Sequence, residues 1–214
     1  MTPFRLGVLI SGSGTNLQAI LDSVHGRDGI EVACAASNRA DAAGLERARA
    51  AGVPTEAFPS TDYEDRAARD RALADHLDAE HVDLVVLAGF MELLDAAFVR
   101  RFQGRIINVH PSLLPAFPGV RAIEQAIEYG VRVTGVTVHF VDEGVDTGSI
   151  VVQEAIPLPY APDIARVEET IHAVEHRLLP EAIRMIARGA AREVEGKAGG
   201  RRRVVIERGR DGER

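Results

Sequence analysis

A doubly wound α/β fold, with a mainly parallel sheet and helices on both faces, is predicted by three features of the sequence. Short apolar runs alternate with segments of helical spacing through the first half of the chain. The runs Leu6 to Ile10 and Leu84 to Ala88 are continuous rather than alternating, as in strands buried on both faces. The polar segments Gly12–Asn16, Gly89–Leu94 and Asn108–His110 each follow or close an apolar run. They therefore fall at carboxyl ends of strands, the rim where such sheets bind ligands.

Taken in order, Leu6 to Ile10 is the first strand, bounded by Ser11-Gly12. Gly12-Ser13-Gly14-Thr15-Asn16 then turns into a helix beginning near Leu17. A glycine turn between strand and helix offers backbone N–H groups to an anion. It also serves as a plain tight turn. The dinucleotide fingerprint needs a third glycine where this chain has Leu17, and no lysine follows Gly14 as in a P-loop. A single phosphate of a mononucleotide-sized ligand fits better. Ile30 to Ala36 is the second strand, Ala42 to Ala51 a helix stopped by Gly52, and Val53 to Phe58 a short strand between prolines. Asp62 to Asp78 reads as a charged amphipathic helix whose charge is a solvated face. Leu84 to Ala88 is a buried strand, and the helix Ala96 to Arg101 leads into the strand of Ile106-Ile107. The second half mixes its strands. A helix over Gly119–Tyr129 precedes a partly alternating strand over Val131–Phe140. The acidic loop Val141 to Gly148 follows, then a strand over Ile150–Ile156 and a long helix over Ile164–Arg188 that contains Pro180.

The length of 214 residues suits one domain over 1–190, followed by a polar basic tail over 191–214. Residues 192–214 hold eight Arg or Lys against five Asp or Glu, so one short strand at Val204–Ile206 is expected there and otherwise disorder. The single cysteine, Cys34, forms no intramolecular disulfide and no cysteine metal cluster, and its apolar run places it in the core. Met1 to Arg5 lacks a secretory pattern, and no apolar run approaches a membrane span, so a cytoplasmic protein with no membrane partner is expected. The net charge of -7 disfavours nucleic-acid binding. Oligomeric state stays open, a homodimer included.

Asn108 and His110 lie two apart on a strand and so share a face. Pro111 fixes His110 in an extended conformation and ends the strand. A lone strand-end histidine is most often a satisfied core residue. The amide beside it and the shared rim favour chemistry instead. Asp146 is the carboxylate placed to serve His110 once the acidic loop folds over that rim, raising the imidazole pKa. Asn108 donates to an oxygen that becomes negative. These roles suit acyl transfer through a tetrahedral intermediate. No nucleophile accompanies them, because Ser112 lacks a glycine elbow, so the attacking group belongs to a substrate.

Gly12-Ser13-Gly14-Thr15-Asn16, Ala88-Gly89-Phe90-Met91, Asn108-Val109-His110-Pro111-Ser112-Leu113-Leu114-Pro115 and Asp142–Asp146 resemble the folate-dependent formyltransferase family over Leu6 to Ile186. The short chain and the Gly-Ser-Gly-Thr-Asn segment resemble its phosphoribosylglycinamide formyltransferase branch. The resemblance implies the formyltransferase fold, no metal, and formyl transfer from 10-formyltetrahydrofolate as cosubstrate to the amine of glycinamide ribonucleotide. It implies Asn108, His110 and Asp146 as a catalytic trio. It implies ribonucleotide contacts at Gly12, Ser13, Gly14, Thr15 and Asn16 and at His172, Ala173, Val174 and Glu175. Folate contacts are implied at Arg66, Met91, Glu92, Leu93, Leu94 and Asn108, and along Asp142, Glu143, Gly144, Val145 and Asp146. The chain departs from the family at three positions. Glu92 stands where Arg is common, leaving the backbone of Met91–Leu94 to meet folate. Ala116 stands where some members carry Lys, and Thr170 where Arg is common.

Other readings compete. His172-Ala-Val-Glu175-His176 fits the H-x-x-E-H pattern of inverted zinc peptidases, with both histidines on one helix face. That reading leaves the three rim segments unexplained. Methionyl-tRNA formyltransferases share the catalytic core but add a tRNA-binding domain, and formyltetrahydrofolate hydrolases add an N-terminal one. The roughly 25 residues after the last helix are too few for a domain. A non-catalytic anion-binding module would have no use for the trio.

Overall fold

The computed structural model describes residues 2–196 and 200–207. The disorder expected over 208–214 lies outside the described residues. Strand β1 (Phe4–Ile10) leads into helix α1 (Thr15–Ser23), and β2 (Ile30–Ser37) into α2 (Ala43–Ala50). Strand β3 (Thr55–Ala57) leads through a 3-10 turn at Ser60–Asp62 into α3 (Arg66–Ala79). Then come β4 (Leu84–Leu87), α4 (Ala96–Arg101), β5 (Ile106–His110) and α5 (Ala122–Tyr129). Strands β6 (Val133–Phe140) and β7 (Ile150–Pro157) precede the long helix α6 (Ile164–Ala187). The seven strands form one sheet in the order β3-β2-β1-β4-β5-β6-β7. Neighbours from β3 to β5 pair in parallel, while β6 and β7 are antiparallel, so the mixed second half is as expected.

Successive residues of β1 serve opposite faces, as strand geometry requires. Leu6, Val8 and Ile10 pack with α1, α2 and α6 through Leu17, Ile20, Leu45, Ile171 and Leu179. Leu9 packs with α3 and α4 on the other side, through Leu73, Leu77, Phe98 and Phe102. Each such large side chain removed from water contributes about 1.5–3 kcal/mol. Cys34 is a core residue on the α3 face, and burial pushes its thiol up to about 12. Among the described residues no helix is long and apolar enough to cross a membrane.

Three boundaries differ from the sequence reading, each for a local reason. Helix α3 starts at Arg66 rather than Asp62, because Asp65 is the residue that caps it, accepting the Ala68 N–H at 2.7 Å. Helix α5 starts at Ala122 rather than Gly119, because Gly119 and Arg121 hold left-handed φ values of 82° and 60°. The expected short strand at Val204–Ile206 has a partner. Strand β9 (Arg203–Ile206) pairs antiparallel with β8 (Ala191–Val194), a stretch the sequence reading had left disordered. Ala191 is buried and Val204 packs on the core, so two apolar contacts seat a hairpin whose other side chains are exposed or only half-buried.

Sheet order places the site. From β1 the chain winds outward to β2 and then returns to β4 on the other side. A crevice opens between loops at such a reversal. Here the two loops are fastened to each other: the Ser11 N–H donates to Gly89 O (3.0 Å), and the Met91 N–H donates to Ser11 Oγ (2.8 Å).

Candidate active site

Asn108 and His110 project from the end of β5 on the α4 side of the sheet, with Pro111 closing the strand. Registry across β5 and β6 sets Asn108 opposite His139 and His110 opposite Thr137. Thr137 anchors the turn that follows: its hydroxyl donates to Ser112 O (2.7 Å) and accepts the Leu114 N–H (3.1 Å). Ser112 is fully buried and donates to Ala116 O (2.5 Å), a structural use of the hydroxyl.

Asp146 completes the group from the loop between β6 and β7. It adopts a left-handed φ of 52°, a conformation that costs energy outside glycine but is best tolerated by Asp and Asn. Its Oδ2 accepts the Gly119 N–H at 2.7 Å and stands 3.4 Å from His110 Nδ1. Its Oδ1 stands 3.5 Å from His139 Nε2. His110 Nε2 lies 2.8 Å from Phe117 O, and only a protonated nitrogen can donate there. His139 Nδ1 likewise donates to Phe140 O (2.8 Å). His139 Nε2 therefore faces both Asn108 Nδ2, at 3.3 Å, and Asp146 Oδ1. Asn108 lines the cleft, where its amide N–H can meet a ligand oxygen.

Electrostatics corrects one expectation. Burial lowers the His110 pKa below its ordinary 6.5, outweighing the upward pulls of the Phe117 carbonyl and Asp146, with His139 adding to the depression. Asp146 does act in the expected direction, but desolvation at 4% exposure wins. Burial raises the Asp146 carboxyl, yet its bonds with His139 and the Gly119 N–H, together with both imidazoles, carry it below its ordinary value. The resting pair is neutral imidazole beside carboxylate.

The trio lines a cleft of about 490 Å³, a size that suits a small-molecule site. Asn108, His110, Asp146 and His139 form one wall, with Arg66, the segment 89–94 and the loop 141–146 around the mouth. All the residues assigned to folate are therefore brought together. Met91 and Leu93 are 73% and 60% exposed, while Leu94 packs inward. Glu92, the departure from the family, pairs with Arg69 and accepts Asn38 Nδ2–H at 2.6 Å. Its charge is taken up by the protein, which offsets repulsion of an acidic ligand.

The anion loop lies beside this cleft on the same rim, not in its lining. Gly14, at φ 70°, caps α1, and the Gly12 carbonyl accepts the Gly44 N–H of α2 at 3.0 Å. Ser13 is exposed and its carbonyl accepts Arg47 Nε–H at 2.8 Å, which puts a guanidinium at the loop. Thr15 opens α1, and buried Asn16 donates to Glu175 Oε2 at 3.0 Å. Sequence segments 159 residues apart thus meet in one buried bond. Burial pushes the Glu175 carboxyl up, against the Asn16 N–H and His172, which pull it down. Asn16 Oδ1 is buried with no partner among the described residues. His172 and Ala173 are exposed, and Val174 packs on the core. Ala116 is exposed, and Thr170 donates its hydroxyl back to Arg166 O (2.8 Å).

His172 and His176 do share a helix face, their rings stacked at 6.4 Å. Glu175 turns away to Asn16, and among the described residues no three His, Cys, Asp or Glu side chains gather as a metal site. Sequence reading missed His139, Arg47 and Arg69. A signal for His139 exists in Val136-Thr-Val-His-Phe140, where polar residues recur at period two. Its partner is set only by strand register. Arg69 and Asp70 were taken for a solvated face, yet they are 1% and 0% exposed. Asp70 Oδ2 accepts the Asp95 N–H (2.7 Å), so the pair ties α3 to the start of α4.

The formyl transferase family profile matches residues 4–183. The phosphoribosylglycinamide formyltransferase of Haemophilus influenzae is 42% identical over 189 residues, covering 88% of this chain and 89% of that protein. A trifunctional purine biosynthetic protein adenosine-3 from Bos taurus is 44% identical over 189 residues, 88% of this chain; the chain spans only 19% of that relative's length. The crystal structure of glycinamide ribonucleotide transformylase 1 from Symbiobacterium toebii superposes with a TM-score of 0.89 at 51% identity, covering 96% of this chain and 94% of that one.

Proposed function

The chain belongs to the formyl transferase family, and from that premise we propose that it moves the formyl group of 10-formyltetrahydrofolate onto the amine of glycinamide ribonucleotide. The observation that carries this reading is the convergence of Asn108, His110 and Asp146 on one cleft wall, with no Ser, Thr or Cys among the described residues that line it. The anion loop and Glu175 hold the ribonucleotide, and the segment 91–94 with the loop 142–146 holds the folate. We place the reaction in the cytoplasm and without a metal.

The substrate amine attacks the formyl carbon, and the carbonyl electron pair moves onto oxygen. Asn108 donates an amide N–H to that oxygen. Neutral His110 accepts the proton leaving the amine, and Asp146 at 3.4 Å stabilises the imidazolium formed. Collapse of the tetrahedral intermediate breaks the bond to the folate nitrogen, which takes that proton from the His110 imidazolium as it leaves and restores the neutral ring.

A pH consequence follows from the depressed His110 pKa. Between the folded value and the ordinary 6.5, the unfolded chain binds more proton at this site. His110 therefore costs stability as pH falls from about 6.5 through its folded pKa, and costs nothing above. NMR titration of the ligand-free protein should find this imidazole below 6.5, and lower again in Asp146→Asn. A wild-type value above 6.5 would reverse the assignment of the resting state.

The test of function is direct. Purified protein is mixed with glycinamide ribonucleotide and 10-formyltetrahydrofolate in a strong chelator, and deformylated folate is followed by absorbance. Turnover that needs the ribonucleotide and ignores the chelator is expected. Folate consumed without ribonucleotide would mark a hydrolase instead, and no turnover in either case would sink the reading.

A further inference from the structure

The loop 141–149 is a wall between two cavities. One is the cleft already described; the other, about 390 Å³, lies behind it against Val99, Gln103 and the β8–β9 hairpin. Resting on the functional reading above, we propose that this hairpin sets the position of Asp146, with Arg201 as the positioning residue.

Three observations carry the inference. Arg201 Nη2 donates to the carbonyls of Thr147 and, at 3.2 Å, Gly148, the two residues after Asp146. One residue on, Ser149 Oγ donates to Glu193 of β8, whose other oxygen takes Arg202 Nη1–H at 3.0 Å. Before Asp146 the loop is internally braced, because Asp142 Oδ1 accepts from both the Gly144 N–H (3.1 Å) and the Thr147 hydroxyl (2.6 Å). Its outer side is tied to α4 by Arg100–Glu143 (3.2 Å). The segment therefore moves as a unit, and its downstream end is fixed by the hairpin. Gly148 permits this close seating: a Cβ there would come 1.7 Å from Phe140 O.

Position matters because the bonds of Asp146 are few and oriented. Its carboxylate faces His110 and His139 at 3.4 and 3.5 Å from a backbone already in a left-handed conformation. Once Thr147 O and Gly148 O lose their donor, the backbone directly after Asp146 loses its anchor to the hairpin and is free to shift. The carboxylate then leaves the imidazole, and His110 loses the charge that stabilises its protonated form.

The experiment compares Arg201→Ala, Arg201→Lys and Asp146→Asn, singly and with the first combined with the last. Arg201 is exposed, so the fold and thermal midpoint should hold. In Arg201→Ala, kcat should fall roughly 10- to 100-fold, the scale of a misplacement of about 1 Å, with KM for the ribonucleotide unchanged. The His110 imidazole pKa should fall toward its Asp146→Asn value, and Arg201→Lys should restore most of both. In the Asp146→Asn background, removing Arg201 should cost little more. Wild-type kcat and wild-type His110 pKa in folded Arg201→Ala would overturn the proposal. So would a full additional loss in the double variant, since Arg201 would then act elsewhere. The titration needs no substrate, so it decides the role of Arg201 even if the wild-type protein transfers no formyl group, a result that would sink only the functional reading.

Discussion

Replacing His110 with alanine is expected to lower kcat by roughly 10²–10⁴-fold, the usual scale for a lost general acid–base group. The side chain is buried between Phe117 O and Asp146, and the other residues of the trio do not supply its proton chemistry. Its removal also strips the Phe117 carbonyl of a donor, a cost to stability of about 1–3 kcal/mol. Circular dichroism and ribonucleotide calorimetry should therefore show a folded protein that still binds. Asn108→Ala should cost roughly 10²–10³, as for other lost oxyanion donors. Asp146→Ala should fall between wild type and His110→Ala, because it acts by stabilising the imidazolium. The double variant His110→Ala/Asp146→Ala should lose far less than the product of the single losses, since a carboxylate has nothing to assist once the imidazole is gone. Near-wild-type turnover in His110→Ala would move the chemistry to other residues, with His139 the first to examine.

Gly14→Val should lower stability by roughly 2–5 kcal/mol before any ligand is considered. A Cβ at Gly14 would stand 2.5 Å from the Cα of Gly44, and backbone meeting backbone has no flexible end to yield. The left-handed φ of 70° adds about 1–2 kcal/mol for a residue with a side chain, and overpacking typically adds about 1–3. For a chain this long the thermal midpoint should drop by roughly 5–15 °C. Gly12 is different, because a Cβ there meets nothing within 4 Å. Gly12→Val should leave the midpoint close to wild type and weaken ribonucleotide binding while sparing folate. The sequence alone treated both glycines as serving the ligand; the structure divides them into one that seats α2 and one that faces open space. Equal thermal losses in the two variants would count against that division.

Much of this was legible in the residues. Continuous apolar runs identified β1 and β4, because strands covered on both faces have no polar side to show. Asn108 and His110 were legible as a pair because period two and Pro111 fix their geometry locally. Asp146 was found by its glycine-rich acidic loop, though the distance to His110 was not. What remained hidden shares a physical origin. His139 is functional only through a cross-strand register, which no local pattern encodes. Arg69 and Asp70 form an ion pair one residue apart, and nothing in a charged helix announces which turn faces inward. The sign of the His110 shift depended on desolvation, which follows from the whole packed surroundings. The hairpin was half-seen because its apolar anchors are few.

Strand β5 is a seam. On one side it pairs in parallel with β4, within a block whose central contacts join Leu6 to Leu84. On the other it pairs with β6, which turns straight back to β7. The second block closes short loops and can assemble quickly; the first must close long ones at a greater entropic cost. Asn108 and His110 sit where the two meet. The trio draws only on β5 and the loop after β6, so it is completed when those two strands pair and does not wait for the closure that joins Leu6 to Leu84. Turnover by the proposed reaction also needs the anion loop that follows β1, so its recovery on refolding is expected to report docking of the two blocks rather than the earlier appearance of secondary structure.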